Sequence, residues 1–305
     1  TGGGSPTGIC VYEGSLLPER FHGAILHCDA GPNVVRAYPV TRQGAGYAAR
    51  IEPLVDGSAD RWFRPSDVCT APDGSLIVAD WYDPGMGGHA MGDLEKGRLY
   101  RIAPPGVEWS VPKYDFASLA GCVAALESPN QCARATALER LAKEPAAAAV
   151  ALDAAFAKAQ NPRHRARLAW AAGMLPGQAL SWIARLASDS DENLRMVAIR
   201  LCRRVEGDVL GLVEKLAADP VPAVRREGAI AVRGVVGERA DRAWAELAAR
   251  HTAGDRWELE ALGIGADGAT GLAGESQWNS RLAAWRVKVG DGWKSPAGRE
   301  IVWRS

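Results

Sequence analysis

The chain has 305 residues, 47% of them apolar, and its 36 basic side chains balance 36 acidic ones. That length suggests about two domains, and a formal net charge of zero leaves no basic excess for nucleic acid or an anionic membrane. No apolar run is long enough to span a bilayer. No signal peptide is recognisable, which by itself does not decide the compartment.

Residues 1–104 are predicted to be β. Short runs rich in Val, Ile and Tyr alternate with Gly, Pro and Asp turns. The region repeats. SPTGICVY at 5–12 matches RPSDVCTA at 64–71, GAILHCDAG at 23–31 matches GSLIVADWY at 74–82, and NVVRAYPV at 33–40 matches GRLYRIAP at 97–104. Each unit therefore carries the same three strands in the same order. A fourth strand, YAARIEPLV at 47–55, is predicted in the first unit. Four-stranded antiparallel units in tandem predict about two blades of a β-propeller, which needs four to eight to close.

A linker is predicted over 105–116, where Pro105, Gly106 and Pro112 break any helix. Residues 117–290 are predicted to be α-helical repeats. FAKAQNPRHRARLAWA from Phe156, LASDSDENLRMVAIRL from Leu186 and LAADPVPAVRREGAIA from Leu216 each place an Arg after a turn rich in Asp, Pro or Asn. These are Arg165, Arg195 and Arg225. The layout is that of a HEAT-like α-solenoid. LESPNQCARATALERL at 126–141 and GDRWELEALGIG at 254–265 fit as looser members. The arginines are expected to bond carbonyls or an Asp in the adjacent turn rather than form a basic stripe. Trp170, Trp182, Trp244, Trp257 and Trp285 fall at helical positions and are expected in packing. Residues 291–305 read as a C-terminal tail.

The six cysteines form no CxxC pair, which argues against a zinc ribbon and excludes CxxCH haem attachment within this chain. Buried free thiols are expected instead. His22, His27, His164 and His251 are scattered and suggest no metal cluster.

The stretch DWYDPGMGGHAMGD at 80–93 follows the second strand of the second unit. The first unit makes the same connection with a few residues around Gly31-Pro32-Asn33, so the longer loop is an insertion. Propeller geometry places it on the face that also carries DGSADRWFRP at 56–65. Long loops on rigid scaffolds often carry function. Asp83 and Asp93 are candidate ligands for a hard cation such as Ca²⁺. His89 is a candidate general base. Arg64 is a candidate partner for a ligand carboxylate. Each has a structural alternative: Asp80 and Asp83 as turn caps, His89 bonded to a carbonyl, Arg64 paired with Asp67 or Asp93.

SPTGI at 5–9, RWFRPSDV at 61–68, DWYDPGMGGH at 80–89, KGRLYRIAP at 96–104, DRWELEALGIGADG at 255–268 and GWKSPAGREIVWRS at 292–305 carry a resemblance. They resemble the large exported proteins of the membrane-bound dehydrogenase type, also called PVC-type haem-binding CxxCH proteins. The resemblance implies a six-bladed propeller related to quinoprotein sugar dehydrogenases, then HEAT-like repeats, then a c-type cytochrome domain. This chain would be the middle of such a protein, exported to the periplasm or cell surface. The resemblance further implies Ca²⁺ and pyrroloquinoline quinone in the full propeller, with Trp62, Asp80 and Tyr82 as candidate cofactor contacts, and haem only in a domain absent here. Two functions follow as expectations. One is part of a sugar or alcohol oxidoreductase that passes electrons to the haem domain. The other is a non-catalytic scaffold that binds a protein or polysaccharide.

Overall fold

The computed structural model describes residues 4–84, 95–267 and 278–305. Nine strands come first and twelve helices follow among those residues. The chain divides into two compact units, Thr1–Thr41 with Ala48–Lys143, and Arg42–Tyr47 with Glu144–Ser305.

In the first unit, β1 (Pro6–Val11), β2 (Ile25–Asp29), β3 (Val34–Tyr38) and β6 (Glu52–Asp56) form an antiparallel sheet in that order. A second antiparallel sheet contains β7 (Pro65–Thr70), β8 (Leu76–Asp80) and β9 (Arg98–Ile102). The expected fourth strand at 47–55 is split. Its first half, β5 (Gly46–Ala49), pairs instead with β4 (Val40–Gln43) as a separate hairpin. Only the second half, β6, joins the sheet. The two-residue period puts Leu26 and Cys28 of β2, Val35 and Ala37 of β3, and Leu76 and Val78 of β8 into one shared core with Tyr12 and Phe63. Buried Tyr12 links the repeats: its hydroxyl donates to the Gly74 carbonyl (2.7 Å) and accepts from the Leu17 amide (2.8 Å). Gly74 sits at φ +85°, where a side chain is strained, and closes the β7–β8 turn. Neither sheet closes on itself.

The first unit also holds α1 (Leu119–Ala125) and α2 (Gln131–Leu141), so its boundary falls later than the predicted 104. Asn130 explains why. Its side chain caps α2 through the Ala133 amide (3.0 Å) and donates to the Thr70 carbonyl of β7 (2.9 Å).

The second unit contains α3 (Pro145–Lys158), α4 (Pro162–Gly173), α5 (Ala179–Leu186), α6 (Glu192–Arg204), α7 (Val209–Leu216), α8 (Pro222–Ala231), α9 (Glu238–Ala248), α10 (Arg256–Ala266), α11 (Trp278–Val289) and α12 (Pro296–Arg304). The segment read as a tail thus carries a helix. Packing runs α4 on α6, α6 on α8, and α8 on α10. Arg165, Arg195 and Arg225 each stand on the fourth residue of their helix. Arg165 reaches Asp189 (3.1 Å), Arg195 grips Asp219 with two nitrogens (2.6 and 3.0 Å), and Arg225 reaches Glu258 (2.9 Å). Arg195 and Arg225 also donate to the carbonyl six residues back, at Asp189 and Asp219. Arg134 of α2 makes the same bond to Ser128, which places 126–141 in the same grammar. Trp182, Trp244 and Trp285 are buried, whereas Trp257 is exposed. Trp257 lies against Gly46 of the hairpin tip counted in this unit. Beside it, Asp255 accepts the Ala45 amide (2.7 Å) and Arg226 donates to the Ala45 carbonyl (2.6 Å).

Among the cysteines, Cys28, Cys122 and Cys202 are buried free thiols, as expected, but Cys69 and Cys132 are exposed. Burial, helped by Asp67, pushes the Cys28 thiol up to about 12.

Two measurements test these contacts. Arg195→Ala leaves Asp219 buried without its partner and should destabilise the chain by about 3 kcal/mol in urea unfolding. The second concerns His251, whose fully buried ring lies 2.8 Å from Glu300 and 3.5 Å from Glu258. Burial alone would lower its pKa, but the two carboxylates outweigh it and leave it raised above 6.5. This contribution is complete below the unfolded value and is lost as pH rises through the folded one. Glu300 is lowered below 4.5 by the Gly254 amide and His251, so its share is lost as pH falls through its own folded value. Calorimetry should show wild-type stability declining as pH rises above 6.5, the ordinary histidine value, through the raised folded value. His251→Gln should remove that decline.

Candidate functional site

Three connections meet at one end of the first unit: residues 30–33 after β2, 57–64 before β7, and 81–84 after β8. The 57–64 turn is held by its own chemistry. Asp60 accepts the Trp62 amide on its side chain (3.0 Å) and the Phe63 amide on its carbonyl (3.0 Å). Phe63 is buried in the core and anchors the turn. Asn33, at φ 58°, donates its side-chain amide to the Arg61 and Phe63 carbonyls. The Trp81 and Asp83 amides donate to the Arg64 and Trp62 carbonyls (2.9 and 3.0 Å), so residues 81–84 run beside 62–64. The sequence expectation that these loops share a face holds for the described residues.

Asp80 is the hub. Its side chain is fully buried. One oxygen accepts the Arg64 amide (2.8 Å) and the Tyr82 amide (2.9 Å), and the other lies 3.2 Å from Arg98 Nη2. Arg98 also meets Asp60 at 3.3 Å and stacks over the Tyr82 ring at 3.7 Å from its centroid. Trp62 tilts against Tyr82, with centroids 5.4 Å apart. Tyr82 is held at φ 52°, a left-handed conformation rare for a bulky residue, of the kind found where function needs a side chain aimed. Burial would lower the Arg98 pKa, but Tyr100, Asp60, Asp80 and Tyr82 outweigh it and leave it raised. Its charge is therefore fixed. Trp81 is 58% exposed and Trp62 36%. Next to this surface, Val55, Asp60, Phe63, Val78, Tyr100 and Ile102 line a largely apolar cavity of about 190 Å³.

The structure brings Trp62, Arg64, Asp80, Tyr82 and Asp83 together. His89 and Asp93 lie outside the described residues. Arg64 does not present its guanidinium to a ligand: it donates to the carbonyls of Ala30 (3.0 Å), Gly31 (3.4 Å), Asp83 (2.9 Å) and Pro84 (3.3 Å). Of the two acidic partners expected in the structural alternative, Asp67 instead caps the Val68 amide, and Asp93 lies outside the described residues. Asp80 gives its carboxylate to the Arg64 and Tyr82 amides and to Arg98. Among the described residues no group of His, Cys, Asp or Glu is placed to hold a metal. Sequence reasoning missed Asp60, Arg98 and Tyr100. The signal for Arg98 was its alignment with apolar Val34 of the first unit, a charged residue where the repeat calls for none.

Residues 3–104 match a family described as a domain of unknown function, DUF7133. No curated protein and no solved structure matches the chain.

Arg64 generates a direct test. Arg64→Lys keeps the charge but loses the fork that spans four carbonyls, and should destabilise the first unit by about 2 kcal/mol in urea unfolding. An unchanged unfolding midpoint would show that those bonds carry little.

Proposed function

We propose that this chain is the ligand-recognition segment of a longer exported protein of the membrane-bound dehydrogenase type. Its loop face binds a polyhydroxylated ligand, a sugar or sugar-like alcohol. The stack of Arg98 on Tyr82 beside Asp60 and Trp62 carries this reading. Sugars present apolar C–H faces to aromatic rings and hydroxyls to carboxylate and guanidinium groups. Here both kinds of partner lie within one surface, preorganised by buried Asp80.

Support for a propeller comes from the outer sheet faces. Ile9 and Val11 of the first sheet, and Leu99 of the second, are exposed apolar residues on faces turned away from the shared core. Further sheets stacked on both sides would cover them. The successive packing of α4, α6, α8 and α10, with arginine ties between repeats, supports a HEAT-like solenoid. In the parent protein a bound sugar or alcohol would be oxidised by groups other than those described, with electrons passed to a c-type haem domain. The alternative is a scaffold that recognises a polysaccharide without chemistry. It shares the same binding surface. A partner protein would find the groove of about 680 Å³ between α3 and α5, where Val150 is exposed.

Titration of the chain with neutral and acidic oligosaccharides, followed by tryptophan fluorescence, tests the shared claim. A saturable change is expected. Trp62→Ala and Arg98→Ala should each weaken binding about tenfold, or 1.4 kcal/mol. Arg165→Ala, in the helical unit, should leave it unchanged. No fluorescence change at millimolar sugar, or equal affinity in all variants, would remove the reading.

A further inference from the structure

The two strand repeats carry a cysteine at the same place, Cys10 in SPTGIC of the first and Cys69 in RPSDVC of the second. Both are free thiols; Cys69 is exposed and Cys10 half-buried. Their strands, β1 and β7, belong to different sheets, since the ladders pair β1 with β2 and β7 with β8. They nevertheless pack side by side and run in the same direction. Thr7 Oγ1 donates to the Pro65 carbonyl at one end (2.9 Å), and the Tyr12 hydroxyl donates to the Gly74 carbonyl at the other (2.7 Å). Between these bonds the strands touch: a Cβ on Gly8 would collide with the Cα and the carboxylate of Asp67. Cys10 and Cys69 each lie two residues beyond that contact.

The thiols are close enough to act on each other. Burial pushes Cys10 up to about 12, with Cys69 the next influence and Asp67 after it. Burial, Asp67 and Cys132 raise Cys69. Cys132 is the competing neighbour, because Asn130, two residues before it, donates to the carbonyl of Thr70, next to Cys69 (2.9 Å). In thiol–disulfide exchange the thiolate attacks and access decides which one attacks first. Cys69 is the more exposed of the aligned pair, so a disulfide arriving from solvent meets it before Cys10.

We propose that Cys10 and Cys69 are a dithiol pair that a small-molecule disulfide oxidises to a covalent bond across the β1–β7 seam. With oxidised glutathione as the oxidant, the Cys69 thiolate attacks one sulfur and releases one glutathione thiolate. The Cys10 thiolate then attacks Cys69 Sγ in the mixed disulfide, forms the Sγ–Sγ bond and releases the second. Two electrons pass to glutathione, and the two protons lost by the cysteines end on its thiols. The bond replaces a seam held by side chains with one that ties the repeats together. Neither cysteine is part of the proposed sugar site, so either claim can fail alone.

The test equilibrates the full chain with oxidised and reduced glutathione at mildly alkaline pH, blocks the remaining thiols with iodoacetamide and maps tryptic peptides by mass spectrometry. Trypsin separates Cys10 (residues 1–20), Cys28 (21–36), Cys69 (62–96) and Cys132 (114–134), so each link has its own mass. Residues 1–20 joined to 62–96 are expected as the main product. The link should form at least about tenfold more favourably in the folded chain than in urea, and oxidation should raise the urea unfolding midpoint until dithiothreitol reverses it. Cys69→Ser should abolish the link and the shift, whereas Cys132→Ser should leave both. The proposal is overturned by mixed disulfides at both cysteines without a link, by a main link from Cys69 to Cys132, or by a link between two chains. A Cys10–Cys69 link no more favourable in the folded chain than in urea also overturns it.

Discussion

One buried carboxylate governs the loop end of the β unit. Asp80 closes the second strand of its repeat and accepts the main-chain amide that enters the first strand. Asp29 does the same in the other repeat, where it accepts the Ser5 amide at 2.8 Å and lies 3.5 Å from Arg36. A buried charge is tolerated only when it is paired and hydrogen-bonded. Satisfying Asp80 therefore fixes three things at once: the start of β7, the left-handed turn at Tyr82 and the position of Arg98. The exposed aromatic surface is a consequence of that internal requirement.

The same logic appears in the helical unit with the signs reversed. There an arginine at the fourth position of a helix, buried only at Arg225, needs acceptors and finds them in the next repeat. Asp219 meets both demands, since it also accepts the Val221 amide that begins its own turn (2.9 Å). Each tie joins one repeat to the next, so position within the repeat explains these residues without a ligand.

Much of this was legible in the sequence. The three-strand repeat could be read because matched turns bracket apolar runs of equal length, although the aligned strands bury opposite faces, Leu26 and Cys28 in β2 but Leu76 and Val78 in β8. The arginine rhythm could be read because a thirty-residue period is visible without knowing any contact. The split of 47–55 into β5 and β6 could not. Its first half pairs with β4, and the intervening tip is gripped by Asp255 and Arg226, some two hundred residues on. No local pattern encodes such a contact. Arg64 illustrates the other failure. Its residue type suggests a carboxylate partner, yet its guanidinium bridges carbonyls of both repeats. Arg98, read only as part of a strand, is the side chain that faces outward with a fixed charge.

The coupling between Asp80 and Arg98 holds the loop end in place, and a double-mutant cycle in urea unfolding measures it most directly. Asp80→Asn, Arg98→Gln and the double variant should show a coupling energy above about 1 kcal/mol. Additive effects, with the two losses summing to that of the double variant, would mean that Asp80 does not position Arg98 and that the aromatic surface is held by something else.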